Sequence, residues 1–389
     1  MEGLLLNIND ELLPMDELKN NILIYYNLEN SSVINVKFKN TEKQRAVYKI
    51  EYNNKIYCLK KVYYNEENLL YVYSTMEWCY RNGINVPKLL PTITGSRYVK
   101  YKGMLFILTP WIDGEKCDFD NINHVLLSSK TLGKLHKSSK NFLPIDGSAK
   151  REGFENYCES ISKHFNQLLL SINNAHKYND RFSKLFLDNI DENLELAKLS
   201  FEVSSSIDLD NLSHSLCHGD YVNKNILINN TNISLIDFDK CKMDFSARDI
   251  SYFLRRLLKR ENTNWQVHLT IDVLDSYITE NELTDSDLKF IIAYIAFPQK
   301  FWKLSRDYYK NIRKCNKNSF VSLMEKGLHK SMNQLDFTYE LINTFRRYYN
   351  VKIWKEINIK IRLLNLVALF FIFLFIIFYF LLVLVQLLI

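Results

Sequence analysis

The sequence predicts an α+β protein of two unequal lobes, a small antiparallel β N-lobe and a mainly helical C-lobe, with a C-terminal transmembrane helix. Three observations support this prediction: a strand-like first third, a change to helical periodicity after residue 112, and an uncharged apolar run at the end. The predicted bounds are 1–112 for the N-lobe, 113–350 for the C-lobe and 363–389 for the transmembrane segment.

The N-lobe is predicted from short β-branched and aromatic runs separated by polar turns. The runs are SVINVKF, AVYKIEY, KIYCLKKV, SRYVKY and MLFILTPW, and this alternation with turns is typical of antiparallel strands. Between the third and fourth runs, apolar residues recur at helical spacing from Leu69 to Tyr80, and Gly83 follows them. This pattern indicates one helix inserted into the sheet.

The C-lobe is predicted from apolar residues that recur with a period of 3.6, as in HVLLSSKTLGKLHKSS and RDISYFLRRLLKR. One stretch interrupts the helices: ILINNTNISLID consists of two short apolar strands joined by the polar turn NNTN. A β-rich lobe followed by a larger helical lobe predicts a ligand-binding cleft between the two.

The C-terminal prediction depends on the run from Leu363 to Ile389, which contains no charged residue and exceeds the roughly 20 residues that span a bilayer. Residues 300–362 carry fifteen Lys or Arg and five Asp or Glu. This basic flank predicts that the body lies on the cytoplasmic face of a membrane. The flank could contact anionic lipid or be a solvated helical face, and a non-native C-terminus is the alternative to the membrane helix.

Composition and missing motifs exclude several classes of protein. The chain is 47% hydrophobic and 24% charged, which is typical of a folded protein, and its acidic N-terminus does not fit a secretion signal. Seven scattered cysteines without a CxxC pair indicate reduced thiols. The sequence has no HExxH, GxSxG, GxGxxG or Walker lysine loop, which argues against zinc and serine hydrolases, Rossmann proteins and P-loop proteins. No nucleic-acid partner is expected.

The stretch CHGDYVNKNILINNTNISLIDFDKC concentrates oxygen-bearing side chains around the hairpin. Paired strands lie about 4.8 Å apart, so Asn225 before the first strand and Asp237 after the second are expected side by side. Gly219 permits a tight loop that holds Asp220. Such oxygen ligands suit Mg²⁺ with a bound nucleotide, and an aspartate outside the metal shell can accept a proton. The arrangement predicts a phosphoryl-transfer site.

These residues resemble a known superfamily. His218, Gly219, Asp220 and Asn225 match the HGDxxxxN pattern of aminoglycoside and choline kinase-like phosphotransferases, and IDFD at 236–239 resembles their metal-binding DFG sequence. The resemblance implies a protein kinase-like two-lobe fold with ATP and Mg²⁺ as cofactors.

The resemblance also implies roles for single residues. Asp220 is implied as the catalytic base, Asn225 and Asp237 as Mg²⁺ ligands, and Asp239 as a further candidate ligand. Asp249 matches a helix-borne aspartate that braces the catalytic loop. His218 is interpreted as a second structural support of that loop, because the chemistry of the family uses the aspartate rather than the histidine.

The N-lobe is implied to bind the nucleotide. Lys60 in YCLKKV resembles the strand lysine that reaches the α and β phosphates, and it shares a strand face with Cys58. Pro110 to Ile112 in ILTPWIDG resembles the hinge whose backbone meets adenine. Two features depart from the pattern. The turn KNTEKQR lacks glycine. The helix glutamate that should meet Lys60 is ambiguous, because counting back from VPK leads to Tyr73, with Glu66, Glu67 and Glu77 only nearby.

Longer stretches narrow the resemblance to the CotS-type spore coat proteins, over about residues 20 to 345. They include NVPKLLPT, LTPWIDGEKCDFDN, LGKLHKSSKNF and AYIAFPQKFWKLSRDYY. The resemblance implies a phosphotransferase that acts on an unknown hydroxyl-bearing acceptor, with spore coat proteins as partners and the spore coat as a location. Two alternatives stay open: a kinase-shaped scaffold with weak or absent catalysis, and an antibiotic kinase with an acidic substrate pocket.

Overall fold

A computed structural model describes residues 13–39, 45–329 and 331–351 of the chain. These residues form two compact units. The first unit contains the described parts of 1–153, 214–244 and 276–281, and the second contains 154–213, 245–275 and the described residues from 282 onward. The lobe bounds at 112 and 350 stay predictions.

A five-stranded antiparallel sheet opens the first unit and confirms the strands predicted in the N-terminal third. Its strands are β1 (Ser32–Lys39), β2 (Arg45–Tyr52), β3 (Lys55–Val62), β4 (Val99–Tyr101) and β5 (Met104–Pro110), in the order β1-β2-β3-β5-β4. Asn53 and Asn54 both have positive φ between β2 and β3. Two such residues form the turn that matches the twist of a hairpin.

The two faces of this sheet differ because side chains alternate along each strand. Tyr48, Leu59 and Leu108 are paired across β2, β3 and β5 and belong to a buried core with Leu18 of helix α1 (Met15–Asn21). Lys60 lies on the opposite face from Leu59. The period of the strand therefore turns the Lys60 side chain away from this core.

Helix α2 (Glu66–Arg81) is the inserted helix that the sequence predicted. The side chain of Asn65 caps its first turn by accepting a hydrogen bond from the amide of Asn68. Its buried face includes Thr75, whose hydroxyl lies 3.4 Å from the sulfur of Cys241. This contact places α2 against the segment that follows the hairpin.

The first unit is completed by α3 (Ile122–Ser138) and five short strands: β6 (Glu115–Lys116), β7 (His214–Cys217), β8 (Ile226–Asn229), β9 (Asn232–Leu235) and β10 (Lys242–Phe245). Strands β8 and β9 pair in the register Ile226 with Leu235 to Asn229 with Asn232. This confirms the predicted hairpin. Strand β6 pairs with β8, and β7 pairs with β10.

The second unit is helical and has an aromatic core. Its helices are α4 (Tyr157–Tyr178), α5 (Arg181–Leu187), α6 (Ile190–Ser205), α7 (Ser246–Leu258), α9 (Asp285–Ala296), α10 (Gln299–Lys310), α11 (Lys317–His329) and α12 (Gln334–Tyr348), and α8 (Val267–Ile278) begins in it. The ring of Phe182 stacks on Tyr308 with centroids 3.9 Å apart, and Phe186 stacks on Phe301 at 4.8 Å. The 3.6 periodicity of the sequence thus identified real helices.

The predicted fold class needs one correction, which concerns the transmembrane helix. No helix within the described ranges is both long and apolar enough to cross a bilayer. The segment 363–389, for which the helix was predicted, lies outside the described residues. The α+β part of the prediction is confirmed. The transmembrane helix is not part of the fold that the structure supports. It was predicted from the hydropathy of one segment alone.

Candidate active site

The candidate site lies at the open end of the hairpin. The amide of Ile236 donates a 3.0 Å hydrogen bond to the carbonyl oxygen of Asn225, which continues the pairing one step beyond β8 and β9. Asn225 and Asp237 therefore flank the same end of the hairpin. Asp237 adopts the left-handed region with φ 68 and ψ 57, a conformation that aspartate tolerates better than most residues.

Lys60 joins the sheet to this end of the hairpin. Its Nζ lies 2.8 Å from Oδ1 of Asp237 and 2.7 Å from Oδ1 of Asp239. The hydroxyl of Tyr64 also contacts Oδ1 of Asp239, at 3.4 Å. Burial by itself lowers the pKa of Lys60, but the charges of Asp239 and Asp237 outweigh it and hold the pKa above its usual value. Lys60 is thus a charged, partly buried ammonium group between two carboxylates.

The loop before the hairpin needs its glycine. Gly219 has φ +74, and a β-carbon there would lie 2.4 Å from the carbonyl oxygen of Lys240. The loop therefore passes directly over the segment after Asp237, and only glycine fits this approach.

Hydrogen bonds then fix the orientation of Asp220. The Asp220 amide donates to Nδ1 of His218 at 3.3 Å, and the other ring nitrogen of His218 lies 3.1 Å from the Ile236 carbonyl oxygen. With Nδ1 as acceptor, Nε2 carries the proton and donates to that carbonyl. Nδ2 of Asn225 donates to the carbonyl oxygen of Asp220 at 2.9 Å. The imidazole and the carboxamide hold the loop against the hairpin.

Two lysines that are not among the predicted site residues flank Asp220. Nζ of Lys240 lies 3.5 Å from Oδ1 of Asp220, and Nζ of Lys224 lies 3.8 Å from Oδ2. Both distances exceed those of tight charge-assisted hydrogen bonds. Each lysine directly neighbours a motif residue in the sequence, so proximity to the motif was the available signal. The surroundings of the Asp220 carboxylate are cationic.

Arg151 is another site residue that the sequence did not reveal. Its Nη2 donates a 2.6 Å hydrogen bond to the carbonyl oxygen of Asp239, and its guanidinium lies 5.5 Å from the ring centroid of Tyr71 in α2. The amide of Met243 donates to the carbonyl oxygen of Arg151. Arg151 fixes the segment after Asp237, but it belongs to no motif and no periodic pattern, so no local signal could have found it.

The remaining predicted residues lie at or just after the end of β5 and in α7. Pro110 ends β5 opposite Tyr57, the amide of Trp111 donates to Ile56, and Ile112 is partly exposed. Asp249 belongs to the second unit, in the first turn of α7, where it is buried. Most of the turn KNTEKQR, residues 40–44, lies outside the described residues.

Helix α2 does not supply the carboxylate that Lys60 contacts. Glu66 accepts hydrogen bonds from Tyr98 and Lys100, and Glu77 pairs with Arg81 in the same helix. The ring of Tyr73 lies beneath the guanidinium of Arg97. The carboxylates that contact Lys60 in the structure belong to Asp237 and Asp239.

The donor set suits a divalent ion with a nucleotide. The Asp237 side chain is 27% exposed, so it is open to a hydrated cation, and the carboxamide residue Asn225 flanks the same hairpin end. Mg²⁺ prefers a few such oxygen ligands together with phosphate and water. Lys60 is a suitable phosphate-binding cation. The residues present therefore fit both groups.

One family of known proteins matches most of this chain. The family model described as "Spore coat putative kinase YutH" matches residues 31–341. That range includes Lys60, the HGDxxxxN residues and both aspartates of IDFD.

Solved structures show the same fold at low sequence identity. An aminoglycoside phosphotransferase from Alicyclobacillus acidocaldarius superposes with a TM-score of 0.66 at 18% identity, over 76% of this chain and 89% of that one. A spectinomycin phosphotransferase in complex with ADP and spectinomycin superposes with a TM-score of 0.55 at 17% identity, over 82% of this chain and 97% of that one. An amicoumacin kinase in complex with AMP-PNP and Ca²⁺ superposes with a TM-score of 0.52 at 18% identity, over 77% of this chain and 87% of that one. The kinase-like fold is confirmed.

Proposed function

Because this chain belongs to the CotS-type family of spore coat kinase-like proteins, whose model matches residues 31–341, we propose that it is an ATP- and Mg²⁺-dependent phosphotransferase. Its acceptor carries a hydroxyl group. The single observation that carries the proposal is the 2.8 Å contact between Lys60 and Asp237. This contact pairs a phosphate-binding cation with a metal-binding carboxylate near the hairpin end, against which the Asp220 loop is held.

Each residue then has a role in phosphoryl transfer. Lys60 binds the phosphates of the nucleotide, and Asp237 with Asn225 holds the divalent ion. When bound, that ion neutralises charge on the phosphates. Asp220 orients the acceptor hydroxyl and accepts its proton. The hydrogen bond that the Asp220 amide donates to His218 and the one that Asn225 donates to the Asp220 carbonyl oxygen position Asp220 for this role.

The charges around Asp220 bear on the acceptor. Lys224 and Lys240 approach the Asp220 carboxylate to within 4 Å, and a polycationic acceptor would meet their repulsion there. An antibiotic kinase was expected to have an acidic pocket instead. We therefore favour a neutral or anionic hydroxyl compound over an aminoglycoside.

The scaffold alternative was motivated by the uncertain helix glutamate and by the basic block of residues 300–362. Asp239 now supplies Lys60 with a carboxylate at 2.7 Å, which weakens the first of these motives and favours catalysis. The family match supports the spore coat as the proposed location and coat proteins as proposed partners. The scaffold hypothesis keeps one distinct expectation: Asp220→Asn would leave spore assembly intact.

The test uses the full-length chain. Wild type is expected to consume ATP with Mg²⁺ when metabolite and protein extracts supply the acceptor, and Asp220→Asn is expected to lose about 10²- to 10⁴-fold in rate. Asp146→Asn, at an exposed aspartate of the first unit, is the control. A screen for new phosphorylated species, with wild type against Asp220→Asn, identifies the acceptor, and spectinomycin tests the antibiotic alternative. The proposal fails if wild type neither binds nor consumes ATP and Asp237→Ala changes nothing.

A further inference from the structure

The two aspartates that contact Lys60 differ in accessibility. Both place Oδ1 within 2.8 Å of the Lys60 ammonium, but the Asp237 side chain is 27% exposed and that of Asp239 only 5%. Mg²⁺ keeps several waters when it binds to proteins. A carboxylate that exchanges a lysine for a hydrated ion must be reachable from solvent, and Asp237 meets this condition far better than Asp239.

The surrounding protein holds Asp239 in place. Arg151 donates to its carbonyl oxygen at 2.6 Å, and the Tyr64 hydroxyl contacts Oδ1 at 3.4 Å. The preceding residue, Phe238, is buried, and its ring centroid lies 4.5 Å from that of His218. These contacts fix both the backbone and the carboxylate, as is required of a residue that orients another side chain.

Helix α2 faces this segment without a carboxylate for Lys60. Thr75 contacts Cys241, while Glu66 and Glu77 are paired with Lys100 and Arg81. We propose that Asp239 is the positioning residue of Lys60, replacing a helix-borne glutamate, and that Asp237 is the aspartate of the pair that binds the divalent ion. This inference rests on the proposed function, and it changes the role predicted for Asp239 from the sequence.

The first test measures the pair itself in the ligand-free protein by a double-mutant cycle of thermal midpoints. Removing one partner of a buried ion pair is destabilising, so Asp239→Asn is expected to lower the midpoint in the wild-type background. In the Lys60→Met background the same substitution is expected to lower it much less, because contacting residues are not additive. Equal effects in both backgrounds would overturn the proposal.

A matched control exists in the same unit. Asp244 is fully buried and pairs with Lys242 at 2.9 Å, so Asp244→Asn also removes a buried carboxylate. Asp244→Asn is expected to lower the thermal midpoint by the same amount in the wild-type background and in the Lys60→Met background. If Asp239→Asn does not fold, Asp239→Glu, which keeps the charge but lengthens the side chain, takes its place in every measurement.

The second test separates lysine positioning from metal binding and uses ADP and Mn²⁺ as probes. In EDTA, Asp239→Asn is expected to weaken ADP binding about tenfold, equivalent to 1.4 kcal/mol, while Mn²⁺ still strengthens binding. Asp237→Asn is expected to show the reverse pattern: metal-free ADP binding close to wild type and no strengthening by Mn²⁺. Asp244→Asn should match wild type in both measurements.

Two other results would contradict either the inference about Asp239 or the proposed function, and they can be told apart. If Asp239→Asn removes the Mn²⁺ effect and leaves metal-free ADP binding unchanged, Asp239 is a metal ligand and the inference is wrong. If wild type binds no ADP with or without Mn²⁺, the proposed function is rejected, while the melting cycle still decides whether Asp239 holds Lys60.

Discussion

The ammonium nitrogen of Lys60 lies 2.8 Å from Oδ1 of Asp237, although 177 positions separate the two residues in the sequence. The contact joins the third strand of the sheet to the end of the hairpin. Neither element carries a complete site by itself. Their contact places the proposed phosphate-binding cation beside the proposed metal-binding carboxylate, and the proposed chemistry depends on that adjacency.

Lys60→Arg tests whether position, and not charge alone, matters at this contact. Arginine keeps the positive charge, but its planar guanidinium is longer and cannot replace a compact ammonium group. We expect ATP turnover to fall at least about tenfold because the phosphates are misplaced, with the thermal midpoint nearly unchanged. Lys61→Arg is the control, since Lys61 lies on the other face of β3. Turnover equal to wild type in Lys60→Arg would contradict a positioning role.

Gly219→Ala tests the loop that carries Asp220. The new methyl group would lie 2.4 Å from the Lys240 carbonyl oxygen, in addition to the cost of positive φ. Gly95→Ala is matched to it, because Gly95 also has positive φ, +83, but no atom within 4 Å of the added carbon. We expect Gly219→Ala to be about 1–3 kcal/mol less stable than Gly95→Ala in urea denaturation and to lose turnover. Equal stability of the two variants would show that the loop can move aside.

Part of the stability of the second unit should depend on the ionisation of the Asp180 carboxyl group and should therefore be lost in acid. Burial alone raises its pKa, but hydrogen bonds from Tyr308, Ser183 and Lys317 outweigh it and lower the pKa to about 2. Because the folded pKa lies below the unfolded value, the stabilisation is present above about pH 4 and is lost as the pH falls through 2.

The corresponding variant is Asp180→Asn. We expect it to be about 2 kcal/mol less stable than wild type at pH 7, with the difference shrinking between pH 4 and 2. Urea denaturation at several pH values measures this, and Asp188→Asn, at an exposed aspartate, is the control. A difference that does not change with pH would show that packing, not charge, accounts for the effect.

The buried cysteines should be chemically inert. Burial raises the pKa of Cys241 to about 11 and also raises that of Cys79, and the thiolate is the reactive form. Cys158 and Cys315 are partly exposed. Iodoacetamide at pH 8 is expected to modify these two first, with Cys79 and Cys241 protected until denaturant is added. Mass spectrometry measures the labelling of each cysteine. Early labelling of Cys241 would contradict its burial beside α2.

Much of the fold was predictable because it depends on local periodicity. The alternation in β3 fixed the face of Lys60 relative to Leu59, and the turn between Ile228 and Ile233 fixed the hairpin. These are short-range effects of backbone geometry. The transmembrane helix shows the limit of the same approach, since hydropathy describes a segment without its context.

The contacts that complete the site were not predictable from local patterns. The partner of Lys60 was sought on α2 because the family resemblance suggested it, yet Asp239 supplies it from a segment 179 positions away. Arg151 contacts the same segment from a stretch without any motif. Such pairings depend on the packing of distant elements, and no single sequence window contains that information.

Calorimetric titration of ATP, with Mg²⁺ and with EDTA, shows whether the hairpin end binds both nucleotide and metal. We expect wild type to bind ATP more tightly with Mg²⁺, and Asp237→Asn in Mg²⁺ to bind ATP no better than wild type in EDTA. Absence of ATP binding by wild type, or an undiminished Mg²⁺ effect in Asp237→Asn, would contradict the claim that this hairpin end is a nucleotide and metal site.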